Sequence, residues 1–210
     1  ATDRAIRKQA RFETVKWNRR RVPCELTKLV TSKILNAALC SVVPIAAKSA
    51  DQLLRRQFHI PIDHLNYANC GVPIDYPKPA SIGADRLANA RAGLEEFGAP
   101  LVVIDFGTAV TFDIINPNGQ YTGGIIAPGL SAMTDYLHEK TSLLPRITLR
   151  DPGTAIGRST VQAMQIGAVY GYRGLIQSLI KEVKASLKVR RLTVVATGGH
   201  ARLLSKQIPE

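Results

Sequence analysis

Apolar and polar positions divide this chain into segments of two kinds. Unbroken aliphatic runs ending in glycine or proline predict buried strands: Leu101 to Ile104, Leu192 to Ala196, and Ala37 to Val43 closed by Pro44. Val110 to Ile114 alternates instead, as a strand with two unlike faces would. Spacing of three and four predicts helices over Ala46 to Gln57, Ala84 to about Phe97, and Leu130 to His138. Ser159 with Gln162 reads as a capping box opening a long helix through Val183, with Gly167, Gly171 and Gly174 recurring on one side. Thr14 to Trp17 is expected as a strand and Cys24 to Ser32 as a short helix. Asn66 to Pro79, rich in Gly, Pro and Tyr, is an extended loop, and Pro145 to Thr154 a polar connection. Strands, hairpins and helices in this order predict an α/β fold with mixed sheets.

The turns between these elements carry the candidate chemistry. Asp105-Phe106-Gly107-Thr108 lies between two strands, and a second turn is expected at Gly123-Gly124, leading into Ala127-Pro128-Gly129. Gly107 lets the backbone approach a ligand closely, and the Thr108 hydroxyl with the turn amides can donate to phosphate oxygens. Asp105 at the strand end can hold a cation. A plain hairpin whose Asp and Thr only satisfy turn amides fits the same four residues. The Asp-Phe-Gly triplet does not make a protein kinase, because neither a His-Arg-Asp loop nor a glycine-rich loop with a strand lysine precedes it.

Composition narrows the classes. With 210 residues, 45% of them apolar, the chain can bury a sizeable core as one domain or two small lobes. No run is long and apolar enough for a bilayer, and Ala1 to Arg11 is too charged for a signal peptide. Three widely spaced cysteines, Cys24, Cys40 and Cys70, point to reduced thiols rather than a disulfide or zinc framework. His59, His64, His138 and His200 have no ligand spacing and are expected at the surface or in loops. The net charge of +12 is terminal: residues 1–21 hold eight Lys or Arg against two acids, residues 181–206 seven against one. No aromatics interleave these basic runs, so a solvated surface is expected rather than nucleic-acid binding.

Five segments carry a resemblance to a known family: Gly83-Ala84-Asp85-Arg86; Asp105 to Ala109 with Thr111 and Asp113; Gly123 to Leu130; Thr160 followed by Gly167; and Ala196-Thr197-Gly198-Gly199. In order and spacing they resemble type III pantothenate kinases over roughly Ser41 to Ile208. The resemblance implies two actin-like (ribonuclease H-like) lobes with mixed sheets and flanking helices, an ATP cleft between them, and boundaries at 1–98 and 99–210. It implies phosphorylation of pantothenate by ATP, with a divalent cation such as Mg, by a cytoplasmic homodimer. Asp85 would be the general base, although by itself it reads as a helix N-terminal acid. Tyr76, Gly83, Ala84, Asp85, Arg86 and Thr160 would contact pantothenate, Thr108 would contact ATP, and Asp105 would bind a monovalent cation, K or NH4.

One departure stands out. The family's opening strand, ending in Asp-x-Gly-Asn followed by Ser or Thr, has no counterpart before Ser41, and the abrupt charged start reads as a cut ahead of Ala1. Two other readings accompany the kinase: a non-catalytic transcriptional accessory factor of the same family, like the Bvg accessory factor, and a kinase for another small alcohol.

Overall fold

The computed structural model describes residues 8–10, 13, 14, 17, 22–30 and 33–205. The chain divides into two compact units: residues up to Cys70 with Ala80–Ala88, and Gly71–Pro79 with the residues from Asn89 onward.

In the first unit, α1 (Cys24–Leu29) is followed by β1 (Ala37–Leu39), α2 (Pro44–Phe58) and β2 (Ile62–His64). β1 and β2 pair in parallel, Ala37 opposite Ile62. Parallel strands need a crossover, and α2 supplies it. Pro44 stands in its first turn, where a missing N–H costs nothing. The helix stops at His59, left-handed with φ of 52°, whose N–H donates to the Arg55 carbonyl at 3.0 Å. β1 is shorter than the run Ala37 to Val43 suggested. The Ser41 hydroxyl accepts the Val43 N–H at 3.2 Å, a local bond that turns the chain before Pro44. α1 likewise ends three residues before the expected Ser32, with Val30 already extended. Of the strand expected at Thr14 to Trp17, the described residues Thr14 and Trp17 are in 3₁₀ turns and not in a strand, while Val15 and Lys16 lie outside the described residues.

α3 (Ala84–Phe97) begins in the first unit and continues in the second, with the bounds its pattern predicted. The second unit is built on β3 (Leu101–Phe106), β4 (Ala109–Ile115), β5 (Tyr121–Pro128), α4 (Leu130–Lys140), α5 (Thr160–Ser186), β6 (Thr193–Thr197) and α6 (Ala201–Leu204). The sheet order is β5-β4-β3-β6, with β3, β4 and β5 antiparallel and β6 parallel to β3. The mixed α/β architecture expected from the sequence is therefore present.

β3 is buried on both faces, as its unbroken apolar run requires. Val102, Ile104 and Phe106 join Phe112 of β4 and Tyr172 and Ile176 of α5 in the core. Leu101 and Val103 face the other way, toward α3. A Cβ at Gly93 would come within 2.7 Å of Val103 and 2.8 Å of Leu101, so this helix carries glycine where it presses on the sheet.

Two expectations change here. The β4–β5 turn is Asn116–Gln120, where the Asn116 side chain accepts the N–H groups of Asn118 and Gln120, and Gly119 takes φ of 75°. Gly123-Gly124 is not a turn but part of β5. There Gly123, at φ of 137°, sits beside a register shift at Ile114 and Ile115. β6 is not buried: it forms the sheet edge, and Val194 is 38% exposed.

Candidate functional site

In the first unit the site residues gather at the start of α3. The Gly83 carbonyl accepts the Leu87 N–H at 3.1 Å, opening the helix, and Asp85 stands in its first turn. Oδ1 of Asp85 accepts the Arg86 N–H at 2.9 Å, which fixes the carboxylate over the turn. A Cβ at Gly83 would collide with that oxygen and crowd Val42, so glycine leaves the space the carboxylate occupies. Asp85 lines a cavity of about 280 Å³ with Trp17, Cys40, Ser41, Val42 and Ala46. Although Cys40 is exposed overall, partial burial of its sulfur, and secondarily the Asp85 charge, push the thiol up from its ordinary value. Sequence reasoning did not single out Cys40; its place after β1 brings it here.

In the second unit three backbone turns converge at the C-terminal end of β3. The first is Gly107-Thr108, between β3 and β4, closed by the Gly107 N–H donating to the Ala109 carbonyl at 3.1 Å. The second is Gly129, at the start of α4, whose N–H donates to the Thr108 carbonyl at 3.0 Å. Any side chain on Gly129 would collide with the Gly107 and Thr108 carbonyls. The third is Gly198, at φ of 91°, where a Cβ would collide with the Asp105 carboxylate and the Phe106 backbone. The His200 N–H then donates to the Phe106 carbonyl at 3.3 Å, and Ser131 meets the His200 ring at 3.4 Å. Tyr172, its hydroxyl pushed up to about 12 by burial, donates to the Pro128 carbonyl at 2.6 Å and pins β5 just before Gly129.

Asp105, half-buried, pairs across the sheet with Thr111 on β4 and Thr197 on β6. Its Oδ2 accepts a hydrogen bond from Asn89 Nδ2 at 3.4 Å. Thr108 is exposed at the turn. Among the described residues, no cluster of three or more His, Cys, Asp or Glu could hold a metal ion.

Tyr76 and Thr160 also belong to this unit. Tyr76, 38% exposed, stacks edge-on against Tyr121 with ring centroids 6.3 Å apart, and lies over Gly123, where a Cβ would be 3.8 Å from its ring. Residues 71–79 run beside β5, with Tyr121 bonded to Pro73 and Asp75. Thr160 opens α5, but the cap is Ser159, whose hydroxyl accepts the Gln162 N–H at 3.3 Å. Gln162 reaches back to the Arg158 N–H at 2.8 Å rather than to Ser159, so the capping box is offset by one residue. Thr160 is exposed and is not needed for the cap.

Unlike His200, which sits at the Gly198 turn, His64 stands apart from these groups. His64 Nε2 lies 2.7 Å from Asp51, which also takes Arg55 at 2.9 Å, tying α2 to β2. The His64 contact first, and Arg55 with it, hold the Asp51 carboxyl below its ordinary range. Cys24, Cys40 and Cys70 are free thiols, and no described helix is long and apolar enough to cross a membrane. Of the connection at Pro145 to Thr154, Asp151 accepts from buried Arg173 at 2.9 Å.

The family model and the similar protein sequences agree on one family. The family model described as type III pantothenate kinase matches residues 2–182. A type III pantothenate kinase of Akkermansia muciniphila is 49% identical over 176 residues, covering 82% of this chain and 69% of that protein. One from Methylacidiphilum infernorum is 55% identical over 139 residues, covering 66% of this chain and 51% of that protein. The chain thus spans between about half and seven-tenths of the length of these relatives. Among solved structures, a conserved Baf family protein from Campylobacter jejuni has a TM-score of 0.53 at 23% identity, over 86% of this chain and 76% of that one, a likeness of fold alone.

Proposed function

The chain belongs to the type III pantothenate kinase family, and on that premise we propose that the protein phosphorylates pantothenate with ATP, giving 4'-phosphopantothenate, the first step of coenzyme A synthesis. The observation that carries this reading is the meeting of three glycine turns around Asp105 and Thr108, which brings main chain without side chains together beside an exposed threonine hydroxyl that can donate to phosphate.

In the reaction the pantothenate hydroxyl oxygen bonds to the γ-phosphorus as the bond from that phosphorus to the β–γ bridging oxygen breaks, releasing ADP. Asp85 orients the hydroxyl and accepts its proton. Its exposure and its fixed oxygen at the start of α3 support that role. Arg86 offers a guanidinium to the substrate carboxylate. Gly83 and Ala84 are assigned to pantothenate with it, as are Tyr76 and Thr160. Thr160 is supported by its release from capping, and Tyr76 by its exposed ring over Gly123. Thr108 is assigned to ATP. A divalent ion such as Mg would be held chiefly by the ATP phosphates.

Asp105 is assigned to a monovalent cation, K or NH4. The residues fit it: a half-buried carboxylate, flanked by two threonines, faces a turn that only glycine leaves open. When bound, such a cation offsets negative charge near the nucleotide. The lobes 1–98 and 99–210 are retained as the domain reading. A homodimer is supported by the apolar groove of about 460 Å³ between α4 and α5, lined by Met133, Tyr136, Leu137, Met164 and Gly167. The substrates and the free thiols suit the cytoplasm. The accessory-factor reading is not favoured, since Asp85 and the Asp105 turn are both in place.

Incubation with ATP, MgCl2, KCl and pantothenate, followed by mass spectrometry, should yield pantothenate heavier by one phosphoryl group, in step with ADP. ADP formation that does not depend on pantothenate would overturn the assignment.

A further inference from the structure

A side chain outside the family motifs faces Asp105 directly. β3 alternates, so Leu101, Val103 and Asp105 share one face. On that face Gly93 of α3 presses on Leu101 and Val103. One turn earlier in α3 stands Asn89, half-buried, and its Nδ2 reaches Asp105 Oδ2 at 3.4 Å. The other carboxylate oxygen, Oδ1, faces the Gly198 turn, where a Cβ would collide with it, and lies 3.8 Å from a Cβ built on Gly107. Asp105 also stands directly between Thr111 and Thr197 in the sheet register, so three oxygen-bearing side chains form a row across β4, β3 and β6.

We propose that Asn89 is a positioning residue for Asp105: its amide holds Oδ2 toward α3, turns Oδ1 toward the Gly107 and Gly198 turns, and thereby sets the affinity of the protein for a monovalent cation. The inference rests on the cation role assigned to Asp105. The chemistry explains why an amide suits the position. Asn donates a hydrogen bond without bringing charge, so Asp105 keeps its full negative charge for a cation. A lysine or arginine in its place would neutralise the carboxylate and repel the ion.

The test is thermal unfolding of the whole protein titrated with KCl, against choline chloride at equal ionic strength. The parent is expected to gain melting temperature with KCl. Asn89→Leu keeps the volume and loses the donor, and should need about fivefold more KCl for half of that gain. Asn89→Gln, which retains the amide on a longer arm, should stay within about twofold of the parent. Should the leucine variant not fold, Asn89→Ala carries the same expectation. An unchanged KCl half-point in the donor-less variant would overturn the proposal. So would a glutamine variant as impaired as the leucine one, because packing and not the hydrogen bond would then be responsible. A parent indifferent to KCl would instead remove the cation role of Asp105, and the proposal with it.

Discussion

The two acids assigned to the reaction sit in very different surroundings. Asp105 stands at the end of a central strand buried on both faces, with glycines at 107, 129 and 198 shaping the backbone around it. Asp85 stands exposed in the first turn of a helix, beside a shallow cavity of about 280 Å³ and a two-stranded sheet of three-residue strands. Around Asp105 the chain builds a shape, and the space denied to side chains is the signal. Around Asp85 it presents one group, and packing has little to say about what that group does.

Substitutions should divide along this line. The largest effect on folding is expected at the Asp105 end: Gly198→Ala forces a side chain into φ of 91° and against the Phe106 backbone, at a cost of about 2 to 4 kcal/mol. Chemical denaturation measures it, and an unchanged midpoint would mean that the turn yields freely. Next, Tyr172→Phe removes the partly buried hydrogen bond to Pro128 and should cost about 1 kcal/mol. The same denaturation experiment checks it, and no loss would mean that β5 does not need this pin before Gly129.

Smaller effects on stability and thiol chemistry belong to the Asp85 region. The Asp85 charge helps to raise the Cys40 thiol, so Asp85→Asn should let it ionise at lower pH and speed its alkylation by iodoacetamide at pH 8. Burial, the larger cause, remains in that variant, which keeps the change modest. An unaltered alkylation rate would separate the two residues. Smallest of all is the pH response of Asp51. Its carboxyl is held below the ordinary 3.8 in the fold, so the stability it contributes is complete above that value and is lost as pH falls through the lower folded one. Asp51→Asn should therefore flatten the melting temperature against pH below about 4. An equally steep acid loss in that variant would place the sensitivity elsewhere.

What the sequence disclosed follows the same division. Helix α3 was legible to the residue, because Gly83 and Gly98 punctuate it and its apolar spacing runs between them. The β3–β4 hairpin was legible because an unbroken run met an alternating one. β2 was missed: three residues beside Pro61 are too short to show a period. Gly123-Gly124 misled, since a glycine serving a bulge reads like a turn, whereas Asn116-Pro117-Asn118-Gly119 held the real turn signal. The edge position of β6 was invisible, as an apolar run does not tell its place in a sheet. In the site, Gly129 and Gly198 could be quoted as motif residues, but their reason is spatial: each meets backbone distant in sequence. Asn89 escaped because nothing in its neighbours marks it. A signal was available in Gly93, whose lack of a side chain hints that α3 presses on the strand ending in Asp105.

The central claim is that Asp85 accepts the proton of the pantothenate hydroxyl as phosphate is transferred. Its most direct test is the kcat of Asp85→Asn for ADP formation with saturating ATP and pantothenate. The account predicts a fall of at least about 100-fold, with ATP affinity and melting temperature unchanged. Turnover at the parental rate would contradict it.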